Sequence, residues 1–376
     1  MRPDSEILRS ERPVAKTEGN MMQKDSLRFL KDMMNTPSPS GFEAGVQNLI
    51  RKRMKECGAG VTTDVHGNVI GVINAKAPVR VMLSGHCDEV GFMITYIDDK
   101  GYLYFASIGG VDPGIATGQR VRIHTSKGDV LGVIGRKPIH LLEQDELNKQ
   151  VKIHELWIDI GARDKKDAQK VISIGDYATF DVGFMELRND MVCAHGFDDR
   201  AGAFVVIETL RRLEGKKLDV AVYGVATVQE ELGLRGARTS AYGIDPHIGI
   251  AVDVGFATDF PGSDPKRVGE CFLGKGPTLH RGPNINPKLS EIMEASARAK
   301  KIPFQVTAEP RATGTDANAI QINMKGVASA LLSIPNRYMH TPVEVISLKD
   351  LDECSHLLAE FIAGLKSNTD FVPSSK

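Results

Sequence analysis

Cysteine is scarce. The 376 residues hold five, Cys57, Cys87, Cys193, Cys271 and Cys354, odd in number, scattered and without a CxxC pair. That excludes a disulfide framework or a zinc ribbon and suits free thiols in a reducing compartment. An excess of one charge is also missing. The formal net charge of −1 argues against a nucleic-acid surface, which needs a basic excess. No apolar run reaches the ~18 residues of a membrane span. Residues 1–20 are polar and charged and lack the apolar core of a secretory signal. They are expected to form an N-terminal extension on a cytoplasmic protein with no membrane or nucleic-acid partner. A hydrophobic content of 41% with 25% charged residues is that of an ordinary globular chain. Its length favours two domains over one core.

The apolar pattern divides the chain. Helices are expected over 25–34 and 43–57, a hairpin over 64–74 turning at Gly67-Asn68, and a continuous apolar strand over 79–83. From about 92 to 186 the texture becomes short alternating strands broken by Asp-Lys-Gly, Gly-Gly and Asp-Pro-Gly turns, with one helical stretch over 164–171. A strand–helix alternation comes next: helix 199–213, strand 220–228, helix 235–242, strand 248–252, helix 287–301, strand 304–307, helix 315–323, strand 327–334 and helix 348–365. Such alternation implies an α/β sheet with helices on both faces. The segment before residue 91 has too few strands to stand alone. The expected organisation is therefore one α/β domain, 21–91 plus 187–376, with a small all-β domain, 92–186, inserted into it.

Chemistry-bearing residues gather where apolar strands end, the edge at which open α/β sheets bind ligands. His86 and Asp88 follow the strand over 79–83. The imidazole suits a metal, and a carboxylate two residues on lies on the same side of an extended chain, free to hold the other ring nitrogen. Asp198 and Asp199 precede a helix. One fills the N-cap that Asp favours, leaving Asp198 to bridge two metals and Asp199 to support. Glu230 and Glu231 follow an apolar strand and precede a Gly-rich turn. Adjacent acids point in different directions, so one can hold a metal while the other faces water. Asp253 closes Ile-Gly-Ile-Ala-Val-Asp, where a buried charge needs a partner. His340 follows the strand ending at 334. Of the other histidines, His280 is the next candidate. Nitrogen and oxygen donors of this kind suit Zn, Co or Mn.

Six segments occur together and in order: Ser-Gly-His-Cys-Asp-Glu-Val-Gly-Phe, Phe-Asp-Asp-Arg-Ala-Gly, Val-Gln-Glu-Glu-Leu-Gly-Leu-Arg-Gly-Ala, Val-Asp-Val-Gly, Thr-Gly-Thr-Asp-Ala-Asn and His-Thr-Pro. They resemble the dinuclear metallo-aminopeptidases that include glutamyl aminopeptidase and the tetrahedral (TET) aminopeptidases, some of whose relatives carry endoglucanase names. The resemblance runs from about Met21 to Lys366 and implies a zinc-exopeptidase-like catalytic domain with two divalent ions, zinc first and cobalt or manganese as alternatives. It implies that His86, Asp198 and Asp253 hold one ion and Asp198, Glu231 and His340 the other. Glu230 would be the general base and Asp88 the orienter of His86. The inserted β domain would serve dimerisation, with dimers able to build a hollow dodecamer. Peptides are the implied substrates, and Thr315 and Asp316 the expected contacts around them.

Three alternatives remain open at this point. A deacylase or amidase would use the same centre with a different pocket. An endoglucanase-type glycosidase needs two carboxylates but leaves both histidines without a task. A non-catalytic scaffold has no need of a free Glu230.

Overall fold

The computed structural model describes residues 22–144 and 149–373. The expected extension over 1–20 lies outside the described residues. Strands are numbered in chain order. The first three are β1 (Gly60–Thr63), β2 (Val69–Ile73) and β3 (Arg80–His86). Six more follow: β4 (Gly91–Ile97), β5 (Leu103–Ile108), β6 (Arg120–Thr125), β7 (Gly128–Gly135), β8 (Trp157–Asp159) and β9 (Tyr177–Phe180). Then come β10 (Met185–Glu186), β11 (Met191–Ala194), β12 (Ala221–Thr227), β13 (Ile248–Phe256) and β14 (Thr278–Arg281). The last are β15 (Gln305–Ala308), β16 (Ala328–Asn336) and β17 (Glu344–Ser347).

An eight-stranded sheet has the order β1-β2-β12-β3-β13-β16-β14-β15. Its centre, β12-β3-β13-β16, is parallel, so four strands deliver their carboxyl ends to one edge. Those strands are the continuous apolar runs of the sequence, as expected of strands buried on both faces. Val81 and Leu83 face one helical layer and Met82 the other, and each such side chain stabilises the fold by ~1.5–3 kcal/mol when fully buried. The first layer contains Lys24–Met34, Ala44–Glu56, Phe197–Leu213, Pro287–Lys300 and Leu348–Gly364; the second contains Arg235–Ile244 and Asp316–Ile320. The α/β class and the two helical layers are as the alternation implied.

Strands β4 to β9 close a separate barrel, order β4-β5-β8-β7-β6-β9, around Phe92, Ile94, Leu103, Phe105, Ile123, Ile158 and Phe180. Chain order puts it between β3 and β11, and β4 begins five residues after His86.

Several boundaries differ from the sequence expectation. The first hairpin pairs β1 with β2 and turns over Asp64–Asn68, so it begins before residue 64. Strand β3 runs through His86 instead of stopping at 83, because Ser84, Gly85 and His86 continue the pairing with β12. Asp253 does not close its strand, since β13 continues to Phe256 alongside β16. The expected helix over 164–171 is one turn, Lys165–Ala168. Strand β14 and the three-stranded sheet β10-β11-β17 were not expected at all.

Close approach at the site's edge depends on Gly85. A Cβ there would lie 2.4 Å from Ala203 N and from Gly202 C, so β3 and the helix Phe197–Leu213 touch backbone to backbone.

Candidate metal centre

Five chain segments meet beyond the carboxyl ends of the parallel strands. Pairing between β3 and β13 stops at Ser84 and Ala251, so past that point the two strands are no longer hydrogen-bonded to one another, and His86 and Asp253 lie beyond it. From Gly196 (φ 72°) the chain turns into the helix Phe197–Leu213, but Asp198 and Asp199 have non-helical dihedrals and a cis peptide between them. Asp199 caps the regular turns of that helix: its Oδ1 accepts from Gly202 N at 2.9 Å and its Oδ2 from His86 N at 3.1 Å. Asp198 takes no part in that capping, and its carboxylate faces His86 and His340.

After β12 the chain passes Gln229 (φ 53°) into Glu230 and Glu231. Both of their amides donate to the Asp88 carboxylate, at 3.0 and 3.3 Å, and Ser40 Oγ donates to it at 2.6 Å. The expectation for Asp88 therefore needs refining. His86 Nδ1 lies 3.0 Å from the Asp88 backbone carbonyl and 3.4 Å from its carboxylate. Asp88 orients His86 mainly through the main chain, while its side chain fixes the glutamate pair.

The remaining histidine comes from a turn. His340 has φ 61°; its Nδ1 lies 2.8 Å from the Gly110 carbonyl, on the loop after β5 of the barrel. With Nδ1 of each imidazole facing a carbonyl, a neutral ring keeps its proton there and turns the Nε2 lone pair toward a bound cation, whereas with no cation Nε2 can be protonated as well and donate to Asp198.

Two groups of donors result, each with all its atoms within 4.8 Å of one another: His86, Asp198 and Asp253, and Asp198, Glu231 and His340. Asp198 belongs to both. Its Oδ1 is 3.1 Å from His86 Nε2 and its Oδ2 3.0 Å from His340 Nε2, the disposition of a carboxylate shared between two cations. Glu231 Oε1 is 3.4 Å from His340 Nε2. Glu230 joins neither group; its Oε2 approaches His86 Nε2 at 3.8 Å.

The charges do not balance internally. Burial pushes Glu230 up to about 10, with Asp253 adding to the shift and His86 opposing it. Burial and the neighbouring Asp198 raise Glu231 to about 7. Burial also holds Asp253 and Asp199 well above the usual carboxylate range. Burial acts the same way on Asp198, but hydrogen bonds from His340 and His86 outweigh it and draw that carboxyl down. The Asp198 hydrogen bond raises His340 to about 10. So many acids around two imidazoles ionise together only beside cations. Glu231 Oε1 is buried with no hydrogen-bond partner, as a metal-ligating oxygen would be. The all-nitrogen and oxygen donor set thus fits two divalent ions.

Sequence reasoning missed Glu344. Buried at 1% exposure, it accepts from His340 N at 2.8 Å and from Asp198 N at 3.0 Å. Burial raises it to about 8. A lone acid opening the apolar run Val-Ile after Val343 was the available signal, the same cue that picked out Asp253. The expected substrate contacts divide. Asp316 is buried under the site, its Oδ2 accepting from Thr227 Oγ1 at 2.7 Å. Thr315 lines a cavity of about 570 Å³ with Gly255, Phe256, His280, Glu309 and Ser333. Ser333 is the register partner of Asp253, so the cavity adjoins the first donor group. His280 belongs to its wall, bonded to Ser333 Oγ at 2.8 Å, and to neither donor group.

Residues 67–357 match the M42 glutamyl aminopeptidase family. This chain belongs to that family. A lysyl aminopeptidase of Pyrococcus furiosus is 40% identical over 92% of this chain and 99% of its own length. The M42 chain is also similar in structure to a TET aminopeptidase from a marine-sediment Thaumarchaeota archaeon, with 36% identity, a TM-score of 0.88 and coverage of 91% and 97% of the two chains. The TET1 peptidase of Pyrococcus horikoshii, 30% identical with a TM-score of 0.81 over 90% and 100%, can assemble into a tetrahedron or a large octahedral shell. Membership makes this M42 protein an aminopeptidase, a hydrolase of peptide bonds, in a metal-dependent family.

Proposed function

We propose that this M42 aminopeptidase is a dinuclear enzyme with a zinc-exopeptidase-like catalytic domain, releasing the N-terminal residue of peptides. What carries the proposal is Asp198, whose two oxygens face two separate donor groups while Glu230 stays outside both. His86, Asp198 and Asp253 would hold one ion and Asp198, Glu231 and His340 the other, zinc first, with cobalt or manganese as alternatives. Bound there, the ions supply Lewis-acid polarisation of the scissile carbonyl and a more acidic water. Glu230, free of both groups, takes the proton from that water at its carboxylate and later passes it to the leaving amine. Asp88 acts through the Glu230 and Glu231 amides and the His86 ring, keeping base and ligands at fixed separation. The cavity beside Asp253 takes the substrate's N-terminal side chain, with Thr315 on its wall.

The barrel, within an inserted domain over 92–186, is the proposed dimerisation surface, and dimers are proposed to build a larger homo-oligomer, up to a dodecamer. Leu131 and Val133 on β7 are 59% and 48% exposed, and Ile139 and Leu141 beyond it 66% and 64%, an apolar set that subunit contact would cover. All five cysteines are free and buried, and among the described residues no helix is long and apolar enough to cross a membrane. Both fit the proposed cytoplasmic location.

The test is turnover of an aminoacyl-anilide panel and of N-acyl amino acids, after chelation and refilling with Zn, Co or Mn. Anilide hydrolysis lost on chelation and restored by refilling is expected. Turnover of the N-acyl substrates alone would favour the deacylase, and chelator-resistant cellulose hydrolysis the glycosidase.

A further inference from the structure

We infer that Glu344 is a positioning residue for the second donor group, holding Asp198 and His340 in register through their backbone amides. This rests on the proposal that both are metal ligands. Asp198 and His340 are 142 positions apart in sequence, on a helix approach and on a turn, yet one carboxylate joins them: Oε2 to Asp198 N at 3.0 Å and Oε1 to His340 N at 2.8 Å. Both segments need holding. His340 has φ 61°, a conformation uncommon for a side-chain-bearing residue. Asp198 is non-helical at the start of a helix.

The scaffold places Glu344 where it reaches both. Strand β17 pairs with β11, Glu344 opposite Ala194, and β11 leads directly through Gly196 to Asp198. The turn bearing His340 is closed at its base by two backbone hydrogen bonds between Arg337 and Val345, at 3.0 and 3.1 Å. Glu344 therefore reaches across its own turn to one ligand and across the small sheet to the other. A carboxylate suits this role because both of its oxygens accept. It complements Asp88, which accepts the Glu230 and Glu231 amides in the same way.

Glu344→Gln is nearly isosteric but has one accepting oxygen, so one of the two amides would face an NH2 group. Metal-stripped wild type and variant are titrated with Zn or Mn(II) against a competing chelator. The ion held by His340 should bind about 10- to 100-fold more weakly, the range typical of groups supporting metal ligands, and the other ion, which shares only Asp198 with it, should be weakened less. The spin-coupled Mn(II) pair should appear in EPR only at correspondingly higher metal, and kcat should recover at saturating metal with KM unchanged. Wild-type affinity for both ions overturns the inference, as does equal weakening of both. Should the Gln variant not fold, Glu344→Asp keeps both acceptors on a shorter stem. It should show the same unequal weakening to a lesser degree, and no weakening overturns the inference. His340→Ala separates the two levels. Two ions still bound there refutes the ligand assignment itself; one ion bound there, with wild-type affinity in Glu344→Gln, refutes the role of Glu344 alone.

Discussion

Gly85→Ala puts one methyl group between the strand that carries His86 and the helix that begins at Asp198. The added Cβ would stand 2.4 Å from Ala203 N and Gly202 C and 2.8 Å from Gly202 O, about 1 Å inside ordinary van der Waals contact. All three are backbone atoms, so no rotamer change relieves them. In the sheet β3 pairs through Gly85 with Ala226 of β12, and on the face away from this helix it is backed by the layer that packs on Met82, so the strand has little freedom to retreat. The helix must move, and forcing extra volume into a packed interior costs ~1–3 kcal/mol. With backbone on the far side, the upper part of that range is expected. The same displacement separates Asp198 Oδ1 from His86 Nε2, now 3.1 Å apart, and a misplacement of about 1 Å can lose ~10²-fold in rate. Urea unfolding of stripped and refilled protein, metal content, and kcat/KM on an anilide together report both effects. Gly243→Ala is the control: its Cβ meets nothing within 4 Å, on the helix Arg235–Ile244, where Ala is favoured over Gly by up to ~1 kcal/mol. If Gly85→Ala unfolds within ~0.5 kcal/mol of wild type, the shift of an ordinary surface change, and keeps its kcat/KM, the backbone contact does not set the site.

Three further outcomes are expected. Glu230→Gln should lower kcat by ~10²–10⁴-fold, the span of general acid–base catalysis, with two ions retained; activity within threefold of wild type would remove Glu230 from the proton path. Metal-stripped protein should lose stability as pH rises. Glu230 and Glu231 are raised from 4.5 to about 10 and about 7, and His340 from 6.5 to about 10, so across that window the native state keeps protons the unfolded chain has released. Refilling with metal should flatten or reverse the trend, because ligands bind deprotonated; a stripped protein that melts no lower near pH 9 than near pH 6 contradicts the charge balance drawn for the site. Leu131→Lys combined with Val133→Lys should reduce the assembly size measured by light scattering while leaving the barrel folded, because both side chains lie on its outside; an unchanged mass places the subunit contact elsewhere.

Legibility in the sequence followed burial. The central strands are continuous apolar runs because helices cover both faces, so their pattern announces them; His86, Glu230, Glu231, Asp253 and His340 stand out as candidates because each ends or follows such a run, and Asp198 because two acids precede one helix. Strand β14 pairs with β16 at two positions only, and β17 is four residues long. Neither is long enough to show a period, and Glu344 was lost with β17. Asp253 was placed at a strand end because its charge ends the apolar run; the strand itself continues, since pairing with β16 does not depend on apolar side chains. The function of the Asp88 side chain was only half legible, because the amides it binds lie 142 and 143 positions away.

The Gly110 carbonyl is 230 positions from His340 and belongs to the barrel side of the molecule. Without it, the neutral imidazole has no fixed preference between its two tautomers, and one of them turns an N–H toward Asp198 and Glu231. A chain trimmed of its barrel would therefore keep every proposed ligand side chain and still offer an ion in the second donor group a histidine that spends part of its time as the wrong tautomer. On the proposed assignment the β insertion would be a part of the metal site that, among the described residues, supplies no side chain to either donor group.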